Sequence, residues 1–179
     1  RIQDKNQCST GQPSGWDEMN ELIELMKETG AILEGHFRLT SGRHSDVYIE
    51  KFRLLERPDF VEKIGVMMAE PYAEENIEVV LGAAVGGILL SSAIAKELGT
   101  KGIFAERVDG ELTLRRGFHL NSGKRVVVVE DIITTGGSVQ ELLKIVEDHG
   151  AKVTGVVCLV DRTEKGVDFS YPTTSLVRY

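Results

Sequence analysis

Only two cysteines occur in the 179 residues, Cys8 and Cys158. One lies in a polar N-terminal stretch and the other inside an apolar run. Two thiols so placed do not make a disulfide framework, and a reducing cytoplasm is the expected setting. No apolar run approaches the roughly 20 residues of a membrane-spanning helix, and no secretory pattern opens the chain. No membrane partner is expected. Positive charge is in deficit, with 21 Lys and Arg against 28 Asp and Glu, a net charge of −7. That argues against a nucleic-acid partner, which needs a basic surface. A small anionic ligand stays open, because a local cationic patch can act inside an acidic protein. Internal repeats, low-complexity linkers and the HExxH and CxxC metal spacings are also missing.

What is present is an ordinary globular composition, 41% hydrophobic and 27% charged, in a chain long enough for one domain with a sizeable core. Residues 1–16 are expected to be a disordered or vector-derived tail, and 17–179 a single domain. Met19, Leu22, Ile23, Leu25 and Met26 fall at helical spacing within Asp17–Thr29, with Gly30 as a stop. Residues 31–55 suggest short strands around a polar turn at Ser41-Gly42-Arg43. A helix is predicted from Pro58 to about Glu75. Strands over 78–81, 101–105, 125–129 and 153–160 then alternate with helices over 86–98 and 137–149. Apolar strands alternating with helices imply an α/β fold, a mostly parallel central sheet with helices on both faces. Ligands of such sheets bind beyond the carboxyl ends of the strands.

Residues 106–124 interrupt this alternation. Asp109-Gly110 is a hairpin signal, and Arg107, Arg115, Arg116 and Lys124 surround it. One reading is a solvated hairpin. The other is a flexible flap that carries cations over an anionic ligand.

The most informative stretch is RVVVVEDIITTGGSVQ, residues 125–140. The valines make a strand that delivers Glu130 and Asp131 to its carboxyl end. Thr134, Thr135, Gly136, Gly137 and Ser138 then form a turn into a helix. Such a turn cradles anions: glycines permit close backbone approach, hydroxyls add donors, and the helix N-terminus favours negative charge. Two carboxylates repel phosphate but suit hydroxyl groups. A phosphate site beside a diol site describes a ribose phosphate. The turn lacks the lysine of a P-loop, and the G-x-G-x-x-G dinucleotide pattern is absent here.

This thirteen-residue run, VVVVEDIITTGGS, closely resembles the phosphoribosyl-diphosphate motif of type I phosphoribosyltransferases. The wider chain, over about residues 19–175, resembles the orotate phosphoribosyltransferases through GAILEGHFRLTSGRHS, LGAAVGGILL, IFAER, LRRGF and CLVDR. The resemblance implies the type I fold with a small hood from the N- and C-terminal segments. It implies transfer of ribose 5-phosphate from phosphoribosyl diphosphate to orotate. Glu130 and Asp131 would face the ribose hydroxyls, Thr134–Ser138 would hold the 5′-phosphate, and Ile132 and Ile133 would also belong to the phosphoribosyl-diphosphate site. Thr134 and Arg162 would contact orotate, where a guanidinium fork suits a carboxylate. Arg107 would act with the acidic pair in catalysis, and Arg107 and Arg43 would bind phosphoribosyl diphosphate. Mg²⁺ would be bound mainly through the substrate and water, without direct protein ligands, and a homodimer would bring each flap to the neighbouring site. The chain departs from many relatives at Thr40 and Gly86, where they carry lysines, and at Arg115-Arg116, where they carry Lys-Asp-His-Gly. The remaining readings are a phosphoribosyltransferase for another base and a non-catalytic regulator that senses phosphoribosyl diphosphate.

Overall fold

The computed structural model describes residues 14–38, 42 and 44–179. Cys8, Thr40, Ser41 and Arg43, named above, lie outside the described residues. Helix α1 (Ser14–Glu28) begins three residues before the predicted Asp17 and buries Leu22 and Met26. It stops where Gly30 turns to φ +70°. Strands β1 (Ile32–Arg38) and β2 (His44–Ile49) pair antiparallel as a separate two-stranded sheet, the hood. A short helix the sequence did not suggest, α2 (Phe52–Leu55), follows. Helix α3 (Pro58–Ala69) starts on a proline at its first turn and ends in a 3₁₀ turn over Glu70–Tyr72, short of the predicted Glu75.

The central sheet is built from β3 (Val79–Ala83), β4 (Lys101–Val108), β5 (Glu111–Leu114), β6 (Arg125–Ile133), β7 (Lys152–Asp161) and β8 (Thr173–Arg178). Their order is β5-β4-β3-β6-β7-β8, parallel throughout except for the antiparallel edge strand β5. Helices α4 (Gly86–Leu98) and α5 (Gly137–Asp148) cover opposite faces. The chain steps from β3 to β4 on one side and from β6 to β7 on the other. The crevice between the carboxyl ends of β3 and β6 is therefore the topological switch point, where such sheets bind ligands.

Two corrections concern the site directly. Strand β6 runs to Ile133 rather than ending at Val129, so Glu130 and Asp131 lie within it. The 106–124 segment is in part sheet: β4 extends through Val108, and β5 pairs with it across a turn where Asp109 and Gly110 take φ +52° and +91°. The hairpin signal was right, but its strands form the edge of the central sheet.

Strand β6 alternates as strands must. Val127 and Val129 pack with Leu90 and Ile94 of α4 and with α3. Val126 and Val128 pack with Val139, Leu142 and Val146 of α5. All four valines are fully buried. Cys158, opposite Glu130 in the neighbouring strand, is a core residue as expected, and burial pushes its thiol up to about 12.

Candidate active site

The alternation of β6 carries past the valines and separates the acidic pair. Glu130 follows Val126 and Val128 toward α5 and lines a small polar cleft with Ile132, Ile133, Thr134, Thr135 and the first turn of α5. Asp131 follows Val127 and Val129 toward α4. Its Oδ2 lies 1.8 Å from the point a Cβ on Gly86 would occupy, so any side chain at Gly86 would displace this carboxylate. Here the structure gives Gly86 a reason, where the sequence showed only a missing lysine. Gly82 and Gly87 let α4 settle onto β3, since a Cβ on Gly82 would meet the Gly87 carbonyl oxygen at 2.3 Å.

Both carboxylates are nearly inaccessible, Glu130 at 7% and Asp131 at 4% exposure. Glu130 Oε1 accepts the Asp131 N–H at 2.9 Å, and Asp131 Oδ1 accepts the Ile132 N–H at 2.6 Å. Burial, with the adjacent Asp131 charge, pushes Glu130 up to about 7. Removing two negative charges from water demands a counter-charge. Lys51, between β2 and α2, supplies one: its Nζ lies 2.6 Å from Asp131 Oδ2.

The turn Thr134–Gly136 leads into α5. Gly136 is buried in the left-handed region, φ +83°, and a Cβ there would meet the Phe169 ring at 2.9 Å. Gly137 is exposed, and a Cβ on it would find only Thr135 Oγ1 at 3.8 Å. The first glycine thus makes the turn, and the second leaves the cleft open. No side chain caps α5 and its first turn has no acid, so its leading N–H groups face the cleft.

Arg107 reaches this cleft from β4. Its Nη2 donates to Ser138 Oγ at 3.3 Å and to Glu141 Oε1 at 2.9 Å, and its Nη1 to the Gly110 carbonyl at 2.6 Å. Glu141 Oε2 also accepts the Leu112 N–H at 2.9 Å, so this one carboxylate ties the hairpin to α5. The Arg107 guanidinium holds Glu141 below its ordinary range. Arg115 and Arg116 are turned away, at 3.6 and 2.8 Å from Glu106. Of the three hairpin arginines, Arg107 alone touches a residue of the cleft.

Arg162, one residue beyond β7, is not engaged with Asp161, which is taken by Arg178 and Thr163. Its Nη2 donates to Ser45 Oγ at 3.2 Å and to the Val47 carbonyl at 3.3 Å. Arg162 N–H donates to the Ile133 carbonyl at 2.8 Å, which fixes its backbone beside the acidic strand. The guanidinium therefore spans from the sheet to the hood. Thr134 is exposed at the end of β6. The structure brings together Glu130, Asp131, Ile132, Ile133, Thr134–Ser138 and Arg107, with Arg162 at the hood side. Sequence reasoning missed Lys51, Glu141 and Ser45. A signal for Lys51 existed only indirectly, in the need of a buried carboxylate pair for a cation.

The phosphoribosyl transferase domain family matches residues 53–177. An orotate phosphoribosyltransferase of Pelotomaculum thermopropionicum is 47% identical over 88% of this chain and 83% of its own length. One from Caldicellulosiruptor bescii is 44% identical over 87% and 82%. This chain belongs to the orotate phosphoribosyltransferase family. The crystal structure of orotate phosphoribosyltransferase from Aeropyrum pernix superimposes with a TM-score of 0.73 at 26% identity, covering 88% of this chain and 93% of that one. Family membership accounts for the switch-point site and for the hood that Arg162 contacts.

Proposed function

We propose that this chain transfers the 5-phosphoribosyl group from phosphoribosyl diphosphate to N1 of orotate, releasing diphosphate and forming orotidine 5′-monophosphate, a step of pyrimidine biosynthesis. The observation that carries the reading is the acidic pair at the switch point, one carboxylate facing each covering helix, with Arg162 at the end of the adjacent strand. The close relatives named above, both orotate phosphoribosyltransferases, point the same way.

In this reaction the C1–O bond to diphosphate breaks as the N1–C1 bond forms, the N1 proton is released to the departing diphosphate or water, and positive charge develops on the ribose. Asp131 and Glu130 take the ribose hydroxyls and favour that charge. The uncapped start of α5, with Ser138 and Arg107, takes the 5′-phosphate. Arg162 forks onto the orotate carboxylate. Mg²⁺ fits here as a substrate-borne ion, because the buried carboxylate oxygens already accept two backbone N–H groups and Lys51. When bound it neutralises charge on the leaving diphosphate.

A homodimer is supported by apolar side chains left exposed around the α3–α4 face. Phe52, Val66, Val85 and Leu89 are each more than 40% exposed, beside a groove lined by Leu55, Pro58, Val61 and Ala93. A cytoplasmic setting is supported by the free thiol of Cys158. Among the described residues no helix is long and apolar enough to cross a membrane.

The test is the loss of orotate absorbance on adding phosphoribosyl diphosphate and Mg²⁺, with uracil, adenine and hypoxanthine as competing acceptors. Consumption of orotate alone is expected. Turnover of another base in its place would overturn the acceptor, and no turnover with any base would overturn the reaction.

A further inference from the structure

Lys51 belongs to none of the segments that mark the site in the sequence. It follows β2 at the entry to α2, eighty positions before Asp131. Its Nζ nevertheless lies 2.6 Å from Asp131 Oδ2, while the Cβ position of Gly86 lies 1.8 Å from the same oxygen on another approach. Lys51 and the start of α4 therefore flank one carboxylate oxygen together. The Lys51 side chain keeps 28% exposure against 6% for Asp131. Its ammonium is thus at the boundary between the buried pair and the open crevice.

Consider what enters that crevice on the function proposed above. Phosphoribosyl diphosphate carries an anion at each end of a neutral diol. The 5′-phosphate end has α5, Ser138 and Arg107. The diphosphate end must then lie on the other side of the acidic pair, toward α4. That side has no acid in the first turn of α4 and no side-chain cap on it. Among the described residues it has one cation in contact with the pair, Lys51. When the ribose hydroxyls donate to Asp131, the carboxylate no longer depends on Lys51 for its hydrogen bonds. A lysine is a compact charge on a flexible stem and changes partner readily, unlike a fixed guanidinium fork. A diphosphate bound at the start of α4 would offer that ammonium an anionic partner beside Asp131.

We infer that Lys51 is a substrate-binding residue of this enzyme: it neutralises Asp131 in the empty site and passes to the diphosphate group when the ribose hydroxyls occupy Asp131. This inference rests on the phosphoribosyl-transfer reading and deepens it. It assigns to the hood-to-α2 junction a charge that the Gly86 position does not provide. It also couples the two ends of the crevice, since diphosphate draws the cation away just as the diol arrives.

Calorimetric titration of the full chain with Mg²⁺-phosphoribosyl diphosphate, with Mg²⁺-diphosphate and with ribose 5-phosphate tests it, using K51M, D131N and the double variant. Losing a hydrogen bond to a charged group costs roughly tenfold or more in affinity, so K51M is expected to weaken binding of Mg²⁺-phosphoribosyl diphosphate, which brings the diol and the diphosphate together, by about that factor. The double variant decides the matter, because D131N has already removed the ion pair. If Lys51 contacts diphosphate, the double variant binds it roughly tenfold more weakly than D131N does, with ribose 5-phosphate within about twofold. If Lys51 only balances Asp131, the double variant binds diphosphate as tightly as D131N, and the inference is overturned. Should K51M alone fail to fold, the D131N background supplies the same comparison, with Asp131 no longer a buried charge that needs Lys51. Failure of the broader reading looks different: the parent enzyme itself would neither bind phosphoribosyl diphosphate nor consume orotate.

Discussion

Arg162 Nη2 donates to Ser45 Oγ across 3.2 Å, joining the end of β7 to a hood strand 117 positions earlier. The contact is hydroxyl to guanidinium, so Arg162 keeps its positive charge available for a carboxylate. Arg162→Leu should raise the orotate KM by more than tenfold, since losing one partner of a hydrogen-bonded charge pair costs roughly 2–5 kcal/mol. Lysine should rescue only part of this, because it lacks the fork. The Kd for phosphoribosyl diphosphate should hardly change. Unaltered orotate kinetics in Arg162→Leu would remove this residue from the acceptor site.

The two glycines of the turn should part company on substitution. Gly136→Ala puts a Cβ 2.9 Å from Phe169 on a residue at φ +83°, so a loss of about 1–3 kcal/mol in stability is expected. Gly137→Ala meets nothing nearer than 3.8 Å. It should leave stability level or slightly improved while weakening binding of phosphoribosyl diphosphate, because its methyl group occupies the mouth of the cleft. Denaturant titration and calorimetry separate the two. Equal stability losses in both variants would contradict the structure.

Glu130 should make the empty enzyme less stable as pH rises. Its carboxyl lies at about 7 against an ordinary 4.5, so between those values the folded state holds a proton that the unfolded chain has released. The resulting stabilisation is complete below pH 4.5 and is lost as pH rises through 7. Glu130→Gln stays neutral throughout. The variant should match the parent near pH 4.5 and exceed it by about 1–3 kcal/mol at pH 8. Thermal unfolding at several pH values, without substrates, reads this directly. A gap that narrows with rising pH would refute the assignment.

Asp131→Asn keeps the shape and an oxygen for the Ile132 N–H, but removes the negative charge facing the ribose. Turnover should fall by about 10²–10³-fold or more, with the fold preserved by circular dichroism. A change of only a few-fold would take Asp131 off the catalytic list.

Much of this site was written in one contiguous run. Four valines, two acids and two glycines specify a strand, a turn and a helix start by local rules, and local rules are what a sequence displays. The elements missed were those decided by distant neighbours. Strand β8, TTSLVR, lies at the sheet edge, half-buried over most of its length, and owes its existence to pairing with β7. Arginines 115 and 116 suggested an available cationic arm, yet Glu106, nine and ten positions earlier, neutralises them. Lys51 had no pattern at all, being one lysine in YIEKF whose role depends on a carboxylate in another strand.

The opposed directions of Glu130 and Asp131 turn one strand into a gauge. A ligand that satisfies both ends of the crevice must straddle the edge of β6, with a neutral spacer lying over the strand and a charge on either flank. Inorganic phosphate can fill only one flank. A molecule whose phosphates are contiguous, such as a nucleoside diphosphate, delivers both charges to the same side. On the proposed function, selectivity for an anion-sugar-anion would then follow from the cross-section of a polypeptide backbone, a dimension that substitution in the surrounding loops leaves unaltered.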